Sequence, residues 1–154
     1  MLYNNANLII DGLWLGNKTS SQDRIFLNEN NIKFIVNCTT DINIPEWYNQ
    51  DNINYIRLPI YDFNSESNNN ILKNEIMNII SNIREYRNKK INILVHCFAG
   101  IQRSATVIAC YLMYYYNYKP ELAIFYIKYK RNIAFIPYPT FNNFIYNYKK
   151  NIEK

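Results

Sequence analysis

The sequence predicts an α/β fold, a central and mostly parallel sheet flanked by helices, on three observations. Short runs rich in Ile, Val, Leu and Phe alternate along the chain with segments of helical period. Residues 71–87 place Leu72, Ile76, Ile79, Ile80 and Ile83 on one helical face. Residues 91–95 form an apolar run broken only by Asn92, the pattern of a strand covered on both faces.

The remaining elements follow in chain order. Residues 8–10 and 13–15 read as strands around a turn at Asp11-Gly12. Ser20 or Ser21 is expected to cap a short helix reaching Asn28, with Ile25 and Phe26 inward. Residues 34–36 and 55–58 read as strands, and the Asn-rich residues 68–70 as a loop tip. Residues 103–116 read as a buried helix. Pro120 suits the first turn of another helix, running to about Lys130. Thr140 is expected to cap a last helix that turns Phe141, Phe144, Ile145 and Tyr148 inward.

With 154 residues and no linker or repeat, residues 1–154 are read as one domain. The net charge of +5 comes without a run of like charges, so a nucleic-acid tail is not expected. Three cysteines, Cys38, Cys97 and Cys110, make an odd set without framework spacing. With a single histidine, a Cys/His zinc site is not expected, and neither is a cofactor. No basic, apolar leader opens the chain and no run is long enough to span a bilayer. These features imply a reduced, intracellular, cytoplasmic protein. Cys110, Trp14, Trp47 and the run Tyr114, Tyr115 and Tyr116 are read as packing residues.

Chemistry concentrates in residues 91–104. A buried strand ends at His96-Cys97, five residues intervene, and Arg103-Ser104 opens a helix. A tight turn of that kind, meeting a helix N-terminus, presents backbone N–H groups and positive potential to an anion. The same surroundings favour a thiolate over a thiol, which makes Cys97 a candidate nucleophile. Arg103 has the planar fork that holds two phosphate oxygens at once. Gly100 stands where the turn needs positive φ.

This sentence of residues resembles the signature of the cysteine-dependent protein tyrosine phosphatases, and in particular their dual-specificity branch. The resemblance extends to Ile10 through Gly16, to Ile32 through Thr39, and to Cys110-Tyr111-Leu112-Met113 after the signature. It extends also to Arg131 through Phe141, where Tyr138 replaces the usual Asn. It implies that Phe98, Ala99, Gly100, Ile101, Gln102 and Arg103 bind phosphate. It further implies that His96 orients the loop and that Ser104 assists the departing thiolate. The family also carries a general-acid Asp on an upstream loop. Asp62 matches it, with Glu66, Asp41 and Asp51 as rivals. Thiolate and protonated acid required together would give a bell-shaped rate with an optimum at about pH 5.5–6.5.

The resemblance implies phosphorylated proteins as partners, with phosphotyrosine and phosphoserine or phosphothreonine both accepted by a shallow pocket, as in small single-domain viral members. Relatives acting on RNA 5′-phosphates or phosphoinositides often carry His or Lys inside the loop. Here Phe98, Ala99, Ile101 and Gln102 are uncharged, so nucleic acid is not favoured. A catalytically idle phosphopeptide-binding module is the third reading, disfavoured because Cys97, Arg103 and Asp62 are all present. Some relatives protect the nucleophile with a disulfide to a neighbouring thiol, a role open to Cys38, whose favoured reading is a buried small apolar residue. About seven residues precede the first strand, so the N-terminal-helix dimer of some viral relatives is not expected. The oligomeric state is otherwise open.

Overall fold

The computed structural model describes residues 4–152. Strand β1 (Ala6–Ile10) turns at Gly12, whose φ is +77°, and pairs antiparallel with β2 (Leu13–Gly16). Strands β3 (Ile32–Asn37), β4 (Asn54–Arg57) and β5 (Asn92–His96) complete a sheet ordered β1-β2-β5-β3-β4. β2, β5, β3 and β4 run parallel, so their C-terminal ends share one edge. Gly16 and Asn37 stand opposite His96 in register. β5 therefore delivers Cys97 to the middle of that edge, where open α/β sheets build their sites.

Side-chain alternation sorts the two faces. Ile93 and Val95 of β5 enter the larger core with α4 (Glu66–Asn88), α5 (Arg103–Tyr115), α6 (Pro120–Lys130) and α7 (Asn142–Ile152). Leu94 points the other way, into a smaller cluster with Leu27, Ile35 and Tyr48 under α1 (Lys18–Gln22), α2 (Arg24–Glu29) and α3 (Trp47–Gln50). The five apolar residues assigned to one face of α4 are all buried, as are Phe141, Phe144, Ile145 and Tyr148. Among the described residues, no helix is long and apolar enough to cross a membrane.

Four local expectations are corrected. The segment 18–29 is two helices, capped by Asn17 and Asp23, whose side chains accept from the Ser20 and Phe26 N–H groups at 3.0 Å. Ser20 and Ser21 lie inside α1, with hydroxyls bonded back to Asn17 and Lys18 carbonyls at 2.7 Å. A cap must be extended, and Asn17 and Asp23 are. The break at Asp23 resets the helical phase, so Leu27 is buried while Ile25 is 71% exposed. Phe26 packs edge-on to Trp14 at 5.4 Å. Residues 68–70 are no loop tip. Ser65 caps α4, and Asn68 sits buried in its first turn. α7 begins at Asn142, and Thr140 gives its backbone N–H to Gln102 Oε1 at 2.9 Å.

Candidate active site

Residues 97–102 turn from the end of β5 into the start of α5, and their carbonyls are all spoken for. Cys97 O accepts from His96 Nδ1 at 3.2 Å, and Phe98 O from the Lys18 N–H at 2.9 Å. The Arg131 guanidinium holds Ala99 O at 3.4 Å and Gly100 O at 2.8 Å. Ile101 O takes the Phe135 N–H at 2.8 Å, and Gln102 O takes the Thr106 N–H and hydroxyl at 2.9 and 2.8 Å. In a trans peptide the N–H points opposite the C=O. Six carbonyls anchored outward therefore turn the N–H groups of residues 98–103 to the concave side of the loop. That is an anion cradle, reinforced by the N-terminus of α5. The N-cap Gln102 does not cap α5; its side chain binds Ile136 O, Tyr138 O and the Thr140 N–H.

Gly100 has φ +67°, and a Cβ there would lie 2.6 Å from Gly16 O and 2.8 Å from Arg131 Nη2. Both the dihedral and the crowding demand glycine. Arg131 is 1% exposed and also binds Asn4 O and Asn7 Oδ1, tying the loop to the start of β1.

Within this frame Cys97 is 2% exposed, with Sγ 3.1 Å from Ser104 Oγ. Arg103 is 7% exposed and gives Nη1 to Ile60 O at 3.1 Å. Its Nε is buried and makes no hydrogen bond among the described residues, an orphan donor of the kind an oxyanion satisfies. Asp62 Oδ1 lies 3.9 Å from that Nε. The structure thus gathers Cys97, Arg103, Ser104 and Asp62 at one place. Of the rival carboxylates, Asp51 is bound by Arg24 at 2.7 Å, and that hydrogen bond lowers its pKa. Asp41 lines a 270 Å³ pocket beside Phe98, with Lys18, Gln22 and Asn43. Glu66 lies in the first turn of α4.

His96 is buried, and burial is the main reason its pKa falls to about 4, with Arg57 and Arg103 adding to the fall. A carbonyl only accepts, so the neutral ring carries its proton on Nδ1 toward Cys97 O. All three cysteines are free. Burial, and then the neighbouring Cys97, push the Cys38 thiol up, and burial does the same to Cys110.

Several members of the site are not evident from sequence. Arg131 stands out in the sequence only as part of a resembling stretch, and Lys18 and Thr106 act through contacts that no local pattern marks. Tyr61 and Phe63 flank Asp62, are exposed and stack at 5.5 Å. Phe98, Ile136 and Tyr138 are also exposed, and Lys18 Nζ lies 5.9 Å from the Phe98 ring centre.

A thiol, a guanidinium and a ring of inward N–H groups make a concave site suited to a tetrahedral oxyanion beside sulfur. Comparison with known proteins agrees. The chain belongs to the dual specificity phosphatase catalytic domain family, whose model matches residues 13–151. It is 39% identical over 115 residues to dual specificity protein phosphatase Mpk3 of Drosophila melanogaster, covering 73% of this chain and 26% of that protein. It is 37% identical over 136 residues to human dual specificity protein phosphatase 6, covering 87% of this chain and 33% of the other. The chain thus spans a quarter to a third of these relatives. Crystalline human DUSP28 superposes with a TM-score of 0.85 at 20% identity, over 99% of this chain and 98% of that one.

Proposed function

We propose that the chain hydrolyses phosphate monoesters on proteins, phosphotyrosine and phosphoserine or phosphothreonine, through a phosphocysteine, and that residues 1–154 act as one catalytic unit. The observation that carries this is the outward anchoring of six successive carbonyls around Cys97, with Arg103 Nε orphaned beside it.

The N–H groups of Phe98, Ala99, Gly100, Ile101, Gln102 and Arg103, with the Arg103 fork, hold the three non-bridging oxygens. Cys97 sulfur attacks phosphorus in line. The bond to the leaving oxygen breaks, and Asp62 gives that oxygen its proton. Water then attacks the phosphocysteine while Asp62 takes up its proton. The S–P bond breaks, Ser104 donates to the departing sulfur, and inorganic phosphate leaves. Positioning and charge stabilisation supply the rate, and no cofactor enters the scheme. His96 acts by holding Cys97 O.

The uncharged loop residues Phe98, Ala99, Ile101 and Gln102 support a protein substrate over RNA, because a nucleic-acid site needs cations along its backbone track. Presence of nucleophile, guanidinium and acid supports an enzyme over an idle phosphopeptide binder. A reduced thiol chemistry supports the cytoplasm. The test compares wild type and Cys97→Ser on phosphotyrosine and phosphothreonine peptides, a 5′-triphosphorylated RNA and a phosphoinositide. Turnover of the peptides by wild type alone is expected. Turnover of RNA or lipid in preference to both peptides contradicts the proposal.

A further inference from the structure

We infer that Asn68 is a positioning residue that clamps the main chain on both sides of Asp62, an inference that rests on Asp62 being the general acid. Asn68 is 1% exposed in the first turn of α4. Its backbone N–H is taken by the Ser65 cap at 3.1 Å, and its side chain reaches back over the acid loop. Oδ1 accepts the Tyr61 N–H at 3.0 Å, and Nδ2 donates to Tyr61 O and Phe63 O, both at 2.8 Å. The amide orientation is fixed by chemistry, since two carbonyls need donors and one N–H needs an acceptor. All three side-chain bonds land on a residue adjacent to Asp62.

The loop is held from its other side by Arg103 Nη1 on Ile60 O at 3.1 Å. Asp62 itself keeps a half-exposed carboxylate, 47% accessible. Its backbone is fixed while its carboxylate stays open to a leaving group. Tyr61 and Phe63 are exposed, so water can replace the lost bonds in a variant. Losing the clamp should then cost placement more than folding, and placement errors near 1 Å cost about a hundredfold in rate.

The experiment measures kcat against leaving-group pKa for a series of aryl and alkyl phosphates, with Asn68→Ala, the isosteric Asn68→Asp and Asp62→Ala in parallel. Both Asn68 variants lose the two amide donations. Their kcat should fall about tenfold to a hundredfold on poor leaving groups and far less on good ones, approaching the Asp62→Ala pattern. Competitive inhibition by inorganic phosphate and the rate of Cys97 alkylation should stay as in wild type. In the double variant Asn68→Ala with Asp62→Ala, no loss beyond that of Asp62→Ala is expected. Wild-type leaving-group dependence in folded Asn68 variants overturns the inference alone, provided Asp62→Ala shows the effect. So does an equal loss on all esters with weakened phosphate inhibition, or an additive double variant. Wild-type dependence in Asp62→Ala overturns the acid assignment and the clamp with it.

Discussion

Ser104 Oγ, in the first turn of α5, lies 3.1 Å from Sγ of Cys97, the residue that follows β5, and both residues are buried. In the proposed cycle this hydroxyl matters most when sulfur leaves phosphorus and regains charge. Ser104→Ala should slow breakdown of the phosphocysteine roughly a hundredfold to a thousandfold, the range for one lost donor to a developing anion. Rapid-quench kinetics should show a burst of the released alcohol followed by a slow steady state. A variant slowed only in the burst phase would place Ser104 elsewhere in the cycle.

Asp62 approaches Arg103 Nε at 3.9 Å, close enough to share a substrate but too far for a hydrogen bond. Asp62→Ala should lower kcat about a hundredfold or more on phosphothreonine peptide, and much less on activated aryl phosphates. Equal losses on both ester types, measured at one pH, would remove Asp62 as proton donor.

His96 is the one histidine of the chain, which makes its titration easy to follow by NMR. Its folded pKa of about 4 lies below the ordinary value of 6.5. The fold therefore prefers the neutral ring. The associated stability is complete above pH 6.5, is lost as pH falls through 6.5 toward 4, and amounts to about 3 kcal/mol at ~1.4 kcal/mol per pH unit. The imidazole signals should keep their neutral positions at pH 5. A ring that titrates near 6.5 in the folded protein would contradict the burial argument.

Arg131 anchors Gly100 O, Ala99 O, Asn4 O and Asn7 Oδ1 from a buried position. Arg131→Met keeps the volume and removes the donors. It should destabilise the chain by about 3 kcal/mol, through acceptors left unpaired. Because it releases two carbonyls of the cradle, it should also weaken inhibition by inorganic phosphate. Denaturant unfolding and inhibition assays on the same preparation check both effects. Unchanged phosphate inhibition would mean that the cradle holds its shape without Arg131.

The sheet and the long helices were legible because burial writes itself as period. Residues 91–95, the stripe from Leu72 to Ile83 and the Phe141–Tyr148 face are cases where one spacing decides one face. The turn from His96 to Ser104 was legible because its parts are contiguous. What the sequence hid is long in range or local in competition. Arg131 meets Gly100 across 31 positions, and the packing of α6 against α5 and β1 brings them together. Asn68 looked like loop composition, since Asn is common in turns. Its burial depends on Ser65 capping the helix three residues earlier. Ser20 and Ser21 lost to Asn17 and Asp23 because all four are good caps and backbone conformation decided among them.

The most direct test is to mix wild-type protein with a phosphotyrosine peptide, quench in acid within milliseconds, and map the protein by mass spectrometry. The account predicts one added phosphoryl group, on Cys97, more abundant in Ser104→Ala and lacking in Cys97→Ser. Steady turnover with no phosphoryl group on Cys97 in either the wild type or Ser104→Ala, or with Cys97→Ser still active, would contradict it.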